Sequence, residues 1–229
     1  CSCSSIQNPK SKIQNHSRRD VPVMLATAAA VILSYVLGSV PTGLWLGLWL
    51  RGTDIREHGS KNIGATNTMR VLGKTLGGLA LAGDAAKGLL PVLALSKLSA
   101  WPYAALACGM AAILGHTASL FLRFKGGKGV ATSLGVFLAL CPIPTLIAAV
   151  TFVTLVLTTR MVSAGSIAGA AAMTVSVYLV PHAIATAPAH LMPDGWALRI
   201  VVTVVALLVI VKHRANIARI VRGEESKVF

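Results

Sequence analysis

The sequence predicts an all-α integral membrane protein, a compact bundle of about seven transmembrane helices. Three observations predict it. Hydrophobic residues make up 55% of the chain and charged residues only 12%, with a mean hydropathy of +0.72, a profile outside the range of soluble domains. The apolar residues gather in runs near the roughly 20 residues that a spanning helix needs. The 21 Lys and Arg stand mostly between those runs, as in loops that flank a bilayer.

Residues 1–20 are polar, carry Lys10, Lys12, Arg18 and Arg19, and differ in composition from all that follows. They are expected to form a disordered tail, leaving 21–229 as one membrane domain. The basic stretch before apolar residues imitates a signal peptide, but the apolar run continues past Ser39 to Leu50, too long for a signal core. Residues 21–50 supply the first span with some excess; 76–95 and 101–122 supply two more. The run 130–158 is too long for one helix and is interrupted by Cys141-Pro142-Ile143-Pro144. Proline removes a backbone donor, so the run reads as two helices, the first, 130–140, short. Residues 163–180 and 197–211 complete the set. The count is seven if the Pro142–Pro144 break is a turn, and six otherwise.

Charge tests that count. With seven helices and the first loop in the cytoplasm, that side receives Arg51, Arg56, Lys61, Arg70 and Lys74, then Arg123, Lys125 and Lys128, then Arg160, and finally Lys212, Arg214, Arg219, Arg222 and Lys227. The opposite side holds Lys97, Arg199 and the four basic residues of the tail, and Lys87 lies within a span. The positive-inside bias favours this arrangement, with the C-terminus cytoplasmic. The tail's charges run against it, and six helices would weaken it.

A net charge of +14 would suggest nucleic acid as partner in a soluble protein. Here the basic residues flank apolar runs and no aromatic residues interleave with them, so anionic lipid or a phosphorylated substrate is the simpler partner and no nucleic acid is expected. Cys108 and Cys141 lie in apolar context as packing residues. Cys1-Ser2-Cys3 has no second pair and no His cluster, so no metal site is expected.

The segment Phe124-Lys125-Gly126-Gly127-Lys128-Gly129-Val130 sets a glycine-rich, doubly basic turn between two apolar runs. Glycines allow close backbone approach, Lys125 and Lys128 add positive charge, and a helix starting at Val130 offers free N–H groups to an anion. The spacing is not that of a Walker A loop. A basic membrane-flanking turn is the plainer alternative. On the same predicted face, residues 54–70 are polar and glycine-punctuated; Ser60, Asn62, Thr66 and Asn67 offer neutral hydrogen bonds and Arg70 a bidentate fork for phosphate. Thr159-Arg160-Met161-Val162-Ser163 and Lys212-His213-Arg214-Ala215-Asn216 join them, with His213 and Asn216 three apart on one helical face. Asp84 and Lys87, also three apart, lie inside a span, where a mutual ion pair that orients the helix is favoured over direct catalysis.

In order and spacing these segments resemble the bacterial membrane acyl-phosphate:glycerol-3-phosphate acyltransferase family. The match runs through Gly38-Ser39-Val40-Pro41-Thr42-Gly43, Gly59-Ser60-Lys61-Asn62-Ile63-Gly64-Ala65-Thr66-Asn67 with Arg70, Asp84 with Lys87-Gly88, Gly115-His116, the 124–132 turn, Thr159-Arg160 with Ser163, and His213 with Asn216-Ile217. The resemblance implies a multi-pass enzyme of the bacterial inner membrane with its active-site loops on the cytoplasmic face. It implies transfer of a fatty acyl group from acyl phosphate to the 1-hydroxyl of glycerol 3-phosphate, giving lysophosphatidic acid and phosphate, without a cofactor. Membrane lipid and the enzyme that makes acyl phosphate are the implied partners. Carried over by position, Ser60, Arg70, Lys128, Ser163, His213 and Asn216 are catalytic. Asn62, Thr66, Asn67, Gly126, Gly127 and Gly129 line the phosphate pocket, and Asp84, Lys87 and Glu225 are structural. The family usually has Gly where this chain has Lys61.

Two classes of function stay open from the residues alone. A transporter or channel for a phosphorylated solute fits Asp84, Lys87 and the broken helices, but the polar residues gather on one face and no inverted repeat is evident. For an acyltransferase, no His-x-x-x-x-Asp pair is present, so either His213 or a substrate phosphate takes the hydroxyl proton.

Overall fold

The computed structural model describes residues 9–181 and 195–228, and these contain ten α-helices and no strand. Helix α1 spans Pro9–Ser39, α2 Thr42–Arg51, α3 Ala65–Leu72, α4 Lys74–Leu93, α5 Ala104–Thr117, α6 Val130–Leu140, α7 Pro142–Thr159, α8 Val162–Leu179, α9 Gly195–Lys212 and α10 Arg214–Val221. Among the described residues six stretches are long and apolar enough to cross a membrane: Val21–Ser39, Lys74–Leu98, Ala104–Leu122, Pro142–Thr159, Val162–Leu179 and Gly195–Lys212. Helix α6 is 11 residues long, a rise of about 16 Å, near half the roughly 30 Å of a bilayer core.

The first predicted span needs correction. Residues 21–50 do not form one helix: α1 ends at Ser39 and α2 starts at Thr42. Pro41 explains the break, because the residue before a proline is pushed out of the helical region and the proline cannot donate. Helix α1 also begins at Pro9, within the stretch expected to be a disordered tail; residues 1–8, with Cys1 and Cys3, lie outside the described residues. The run 130–158 is divided into two helices as expected: α6 ends at Leu140 and Pro142 opens α7 as its first residue, where a missing N–H costs nothing. The 54–70 loop is partly helical, closing into α3.

Close packing holds the bundle. A Cβ on Gly38 would overlap the backbone of Ala112, and one on Gly115 the carbonyl of Tyr35, so α1 and α5 meet backbone to backbone. Gly88 and Gly135 bring α4 and α6 together in the same way. Small residues are what permits such approach where no hydrophobic effect drives helices together. A continuous apolar core runs through Val92, Ile113, Val136, Phe137, Leu140, Val202 and Val205. Cys108 and Cys141 are free and buried, as their apolar context implied.

Candidate active site

Four segments far apart in sequence meet at one end of the bundle. The turn before α6 carries Lys128, the α7–α8 junction carries Ser163, the α9–α10 junction carries His213 and Asn216, and residues 223–228 fold back across them. Lys128 Nζ donates to Asn216 Oδ1 at 2.6 Å. Asn216 Nδ2 donates to Glu225 Oε1 at 2.6 Å, and Ser163 Oγ donates to the same oxygen at 2.7 Å. Arg219 Nε donates to Glu225 Oε2 at 2.7 Å. Arg70 reaches this group through the Ser226 carbonyl, 3.5 Å from its Nη2. The segment is pinned further by Val228 N–H to the Arg160 carbonyl, 2.9 Å.

Glu225, expected only as a structural residue, is therefore the hub of the site. Burial alone would raise its carboxyl pKa, but the donors from Ser163, Asn216 and Arg219 outweigh it and hold it below the ordinary value. The Lys128 pKa is lowered as well, but here burial is the cause: it brings the ammonium to about 8, with Arg219 and Arg70 assisting and Glu225 opposing. A partly desolvated cation of that kind binds an anion more strongly than one in water.

His213 and Asn216 are both buried, as their shared face implied. His213 Nδ1 lies 2.7 Å from the Val209 carbonyl. A carbonyl only accepts, so the proton sits on Nδ1 and the neutral ring presents Nε2 with a free lone pair. Burial, then the charge of Lys128, lowers its pKa, which keeps the ring neutral near pH 7.

The loop before α3 is a separate construction. Asn67 is buried; its Oδ1 accepts the Ser60 N–H at 2.8 Å, and its Nδ2 donates to the carbonyls of Ile55 and His58. Its amide is thus committed to the loop backbone, which corrects the expectation that it lines the phosphate pocket. Asn62 Oδ1 accepts the Gly64 N–H at 2.9 Å. Ser60 is exposed and Thr66 half-buried beside them. Lys61 has φ +58°, the left-handed region that glycine occupies without strain.

The glycines of the 126–129 turn are needed for packing within the protein itself. A Cβ on Gly126 would overlap the His116 carbonyl and one on Gly127 the His116 ring, while Gly129 has φ +83° and lies against Thr117. Their close approach is to the end of α5. Asp84 and Lys87 form the expected buried ion pair at 2.8 Å. In the sequence Arg219 is one basic residue of many, and its spacing of three from Asn216 is the signal that sets it apart. No group of three or more His, Cys, Asp or Glu that could hold a metal occurs among the described residues.

Comparison with known proteins gives one consistent result. The profile of the glycerol-3-phosphate acyltransferase family matches residues 28–223. A glycerol-3-phosphate acyltransferase of Trichlorobacter lovleyi is 49% identical over 195 residues, covering 85% of this chain and 93% of the relative. One from Geobacter sulfurreducens is 47% identical over 205 residues, covering 89% and 98%. The crystal structure of PlsY (YgiH), an integral membrane glycerol 3-phosphate acyltransferase in its glycerol 3-phosphate form, superposes with a TM-score of 0.76 at 33% identity, covering 88% of this chain and 94% of that one. Its lysophosphatidic acid form gives 0.74. Nothing among these relatives supports the transporter alternative. With a fold, a length and a sequence that all match, the chain belongs to the glycerol-3-phosphate acyltransferase family.

Proposed function

We propose that the chain transfers a fatty acyl group from acyl phosphate to the 1-hydroxyl of glycerol 3-phosphate, on the cytoplasmic face of a bacterial inner membrane. The observation that carries this is the network joining Lys128, Asn216, Ser163 and Glu225, a buried cationic site at one end of a membrane bundle. Two anionic substrates must be held together there. Lys128 and Arg70 offset their charge, and positioning does most of the remaining work, since acyl phosphate already carries a good leaving group.

The hydrogen bonds support a division of roles. Ser163 gives its proton to Glu225, so toward substrate its oxygen is an acceptor, suited to a glycerol hydroxyl. Asn216 keeps its second amide hydrogen for the same molecule. His213 Nε2 accepts the 1-hydroxyl proton as the oxygen attacks the acyl carbon. The new ester C–O bond forms, the acyl–phosphate C–O bond breaks, and phosphate leaves with the bonding pair. Ser60, Asn62 and Thr66 are read as further substrate contacts, offered from the loop that Asn67 holds. An apolar cleft of about 360 Å³ between α4, α6 and α7, lined by Ala82, Ala85, Leu134, Leu138 and Leu146, suits the acyl chain, which arrives from an enzyme that makes acyl phosphate.

The test is purified protein with acyl phosphate and labelled glycerol 3-phosphate. Lysophosphatidic acid and phosphate are expected in equal amounts without nucleotide, metal or coenzyme A. Turnover only with acyl-coenzyme A would overturn the donor assignment.

A further inference from the structure

We propose that His116 is a positioning residue for this reaction: its ring and carbonyl form the floor on which the 126–129 turn rests, and so fix where Lys128 stands. The inference rests on the reading of Lys128 as a phosphate-binding group. Three observations carry it. The Gly127 N–H donates to the His116 carbonyl at 3.0 Å. A Cβ on Gly127 would meet Nε2, Cε1 and Cδ2 of the His116 ring, and these are its three nearest neighbours. Gly127 is not among the residues with positive φ, so its backbone would accept alanine; it is the ring that excludes a side chain.

The ring is itself enclosed, its Nδ1 buried without a hydrogen-bond partner. His116 is 4% exposed, and its Nδ1 faces Asp84 Oδ1 at 3.9 Å, too far for a hydrogen bond but close for electrostatic orientation. Asp84 pairs with Lys87 at 2.8 Å, and Lys87 Nζ donates to the Val40 carbonyl at 2.5 Å. A buried ion pair is costly in a membrane. This one links the α1–α2 break, through the His116 ring, to the residue next to Lys128. Lys128 in turn is aimed at Asn216, so a shift of the floor moves the cation relative to the rest of the site, and small misplacements of such groups cost rate steeply.

The experiment is a cycle of Gly127→Ala, His116→Ala and the double variant in the full chain, with His116→Gln as the conservative replacement. Steady-state kinetics with acyl phosphate, thermal stability, and amide hydrogen exchange over residues 123–129 are measured for each. Gly127→Ala should lower kcat/KM at least about tenfold, mainly by raising KM for glycerol 3-phosphate, and should cost about threefold or less in the His116→Ala background, the coupling expected of residues in contact. His116→Ala should accelerate exchange in the turn while leaving global stability within a few degrees, and His116→Gln should recover most of the loss. An equal cost of Gly127→Ala in both backgrounds, or unchanged exchange in His116→Ala, would overturn the inference. If wild-type protein shows no acyl transfer at all, the proposed function fails while the exchange comparison still decides the role of His116.

Discussion

Lysine 128 gives the sharpest prediction, because charge and burial act on it in measurable opposition. Burial lowers it to about 8 from an ordinary value of 10.5, and only its charged form holds a phosphate. The profile of kcat/KM, which reports the free enzyme, should therefore be level near neutrality, halve at about pH 8, and fall about tenfold for each further unit. Lys128→Arg should work less well overall, since a planar fork replaces a point charge, but it stays protonated throughout and should show no alkaline limb below about pH 10. Stability must move the other way. Between about 8 and 10.5 the unfolded chain binds more protons at this position than the native one, so wild-type stability relative to Lys128→Arg should rise with pH across the window in which activity falls. The assay is initial-rate transfer from pH 6 to 10, corrected for donor hydrolysis without enzyme, beside thermal unfolding of both proteins. A limb near 8 that survives in Lys128→Arg would assign it to another group and refute the reasoning.

Lys128→Ala should lose at least about thirtyfold in kcat/KM, the low end of what truncating one partner of a desolvated charge pair costs; Arg70→Ala, at an exposed position, should lose less, and Lys125→Ala, exposed as well and without an assigned contact, under threefold; equal losses for Lys125→Ala and Lys128→Ala would make the turn a diffuse basic patch. Glu225→Gln keeps one acceptor oxygen but removes the charge and sets an NH2 donor against one of the three donors that meet there, and should cost about 1–3 kcal/mol of stability at pH 7 by thermal unfolding. Because the native carboxyl titrates below its ordinary value of 4.5, that difference should be present above this value and vanish as pH falls through the native one. Lys61→Gly relieves a left-handed φ of +58° and should stabilise by about 1 kcal/mol, read as a higher Tm with kcat/KM unchanged; lower stability would show that the lysine side chain holds the loop. Cysteines at the exposed positions 61, 125, 160 and 222 should label from one side of oriented vesicles, and a split between 125 and 222 would exclude seven crossings.

What could be read before folding follows from what the bilayer demands. A lipid-embedded backbone must satisfy its own hydrogen bonds, so spans announce themselves as apolar runs, and Val130–Leu140 was expected with the observed ends. Pro41 carried the same information as Pro142, but the apolar run around it concealed the break. At the site, residue types were legible and partnerships were not. Lys128 meets Asn216 across 88 positions and Ser163 meets Glu225 across 62, and nothing local encodes such pairs. The turn glycines signalled close approach without naming the surface approached, and the Asn67 side chain could not be told from a ligand-binding amide until the loop it ties was seen.

The position of Glu225 also bears on how the protein is made. Its carboxylate joins α8 and α10, yet it follows every candidate membrane span among the described residues. During synthesis the earlier helices enter the bilayer with Lys128 and Ser163 unconnected, and a nascent chain halted after α8 has neither Asn216 nor the acid that gathers them. Catalytic competence thus arrives last, only after all the helices have been inserted in an order that brings the 223–228 segment to the side where Arg160 and Ser163 wait. A chain in which one of the spans between Ser163 and Glu225 failed to insert would leave Glu225 across the bilayer from the Ser163 hydroxyl, so such a copy could not assemble the network.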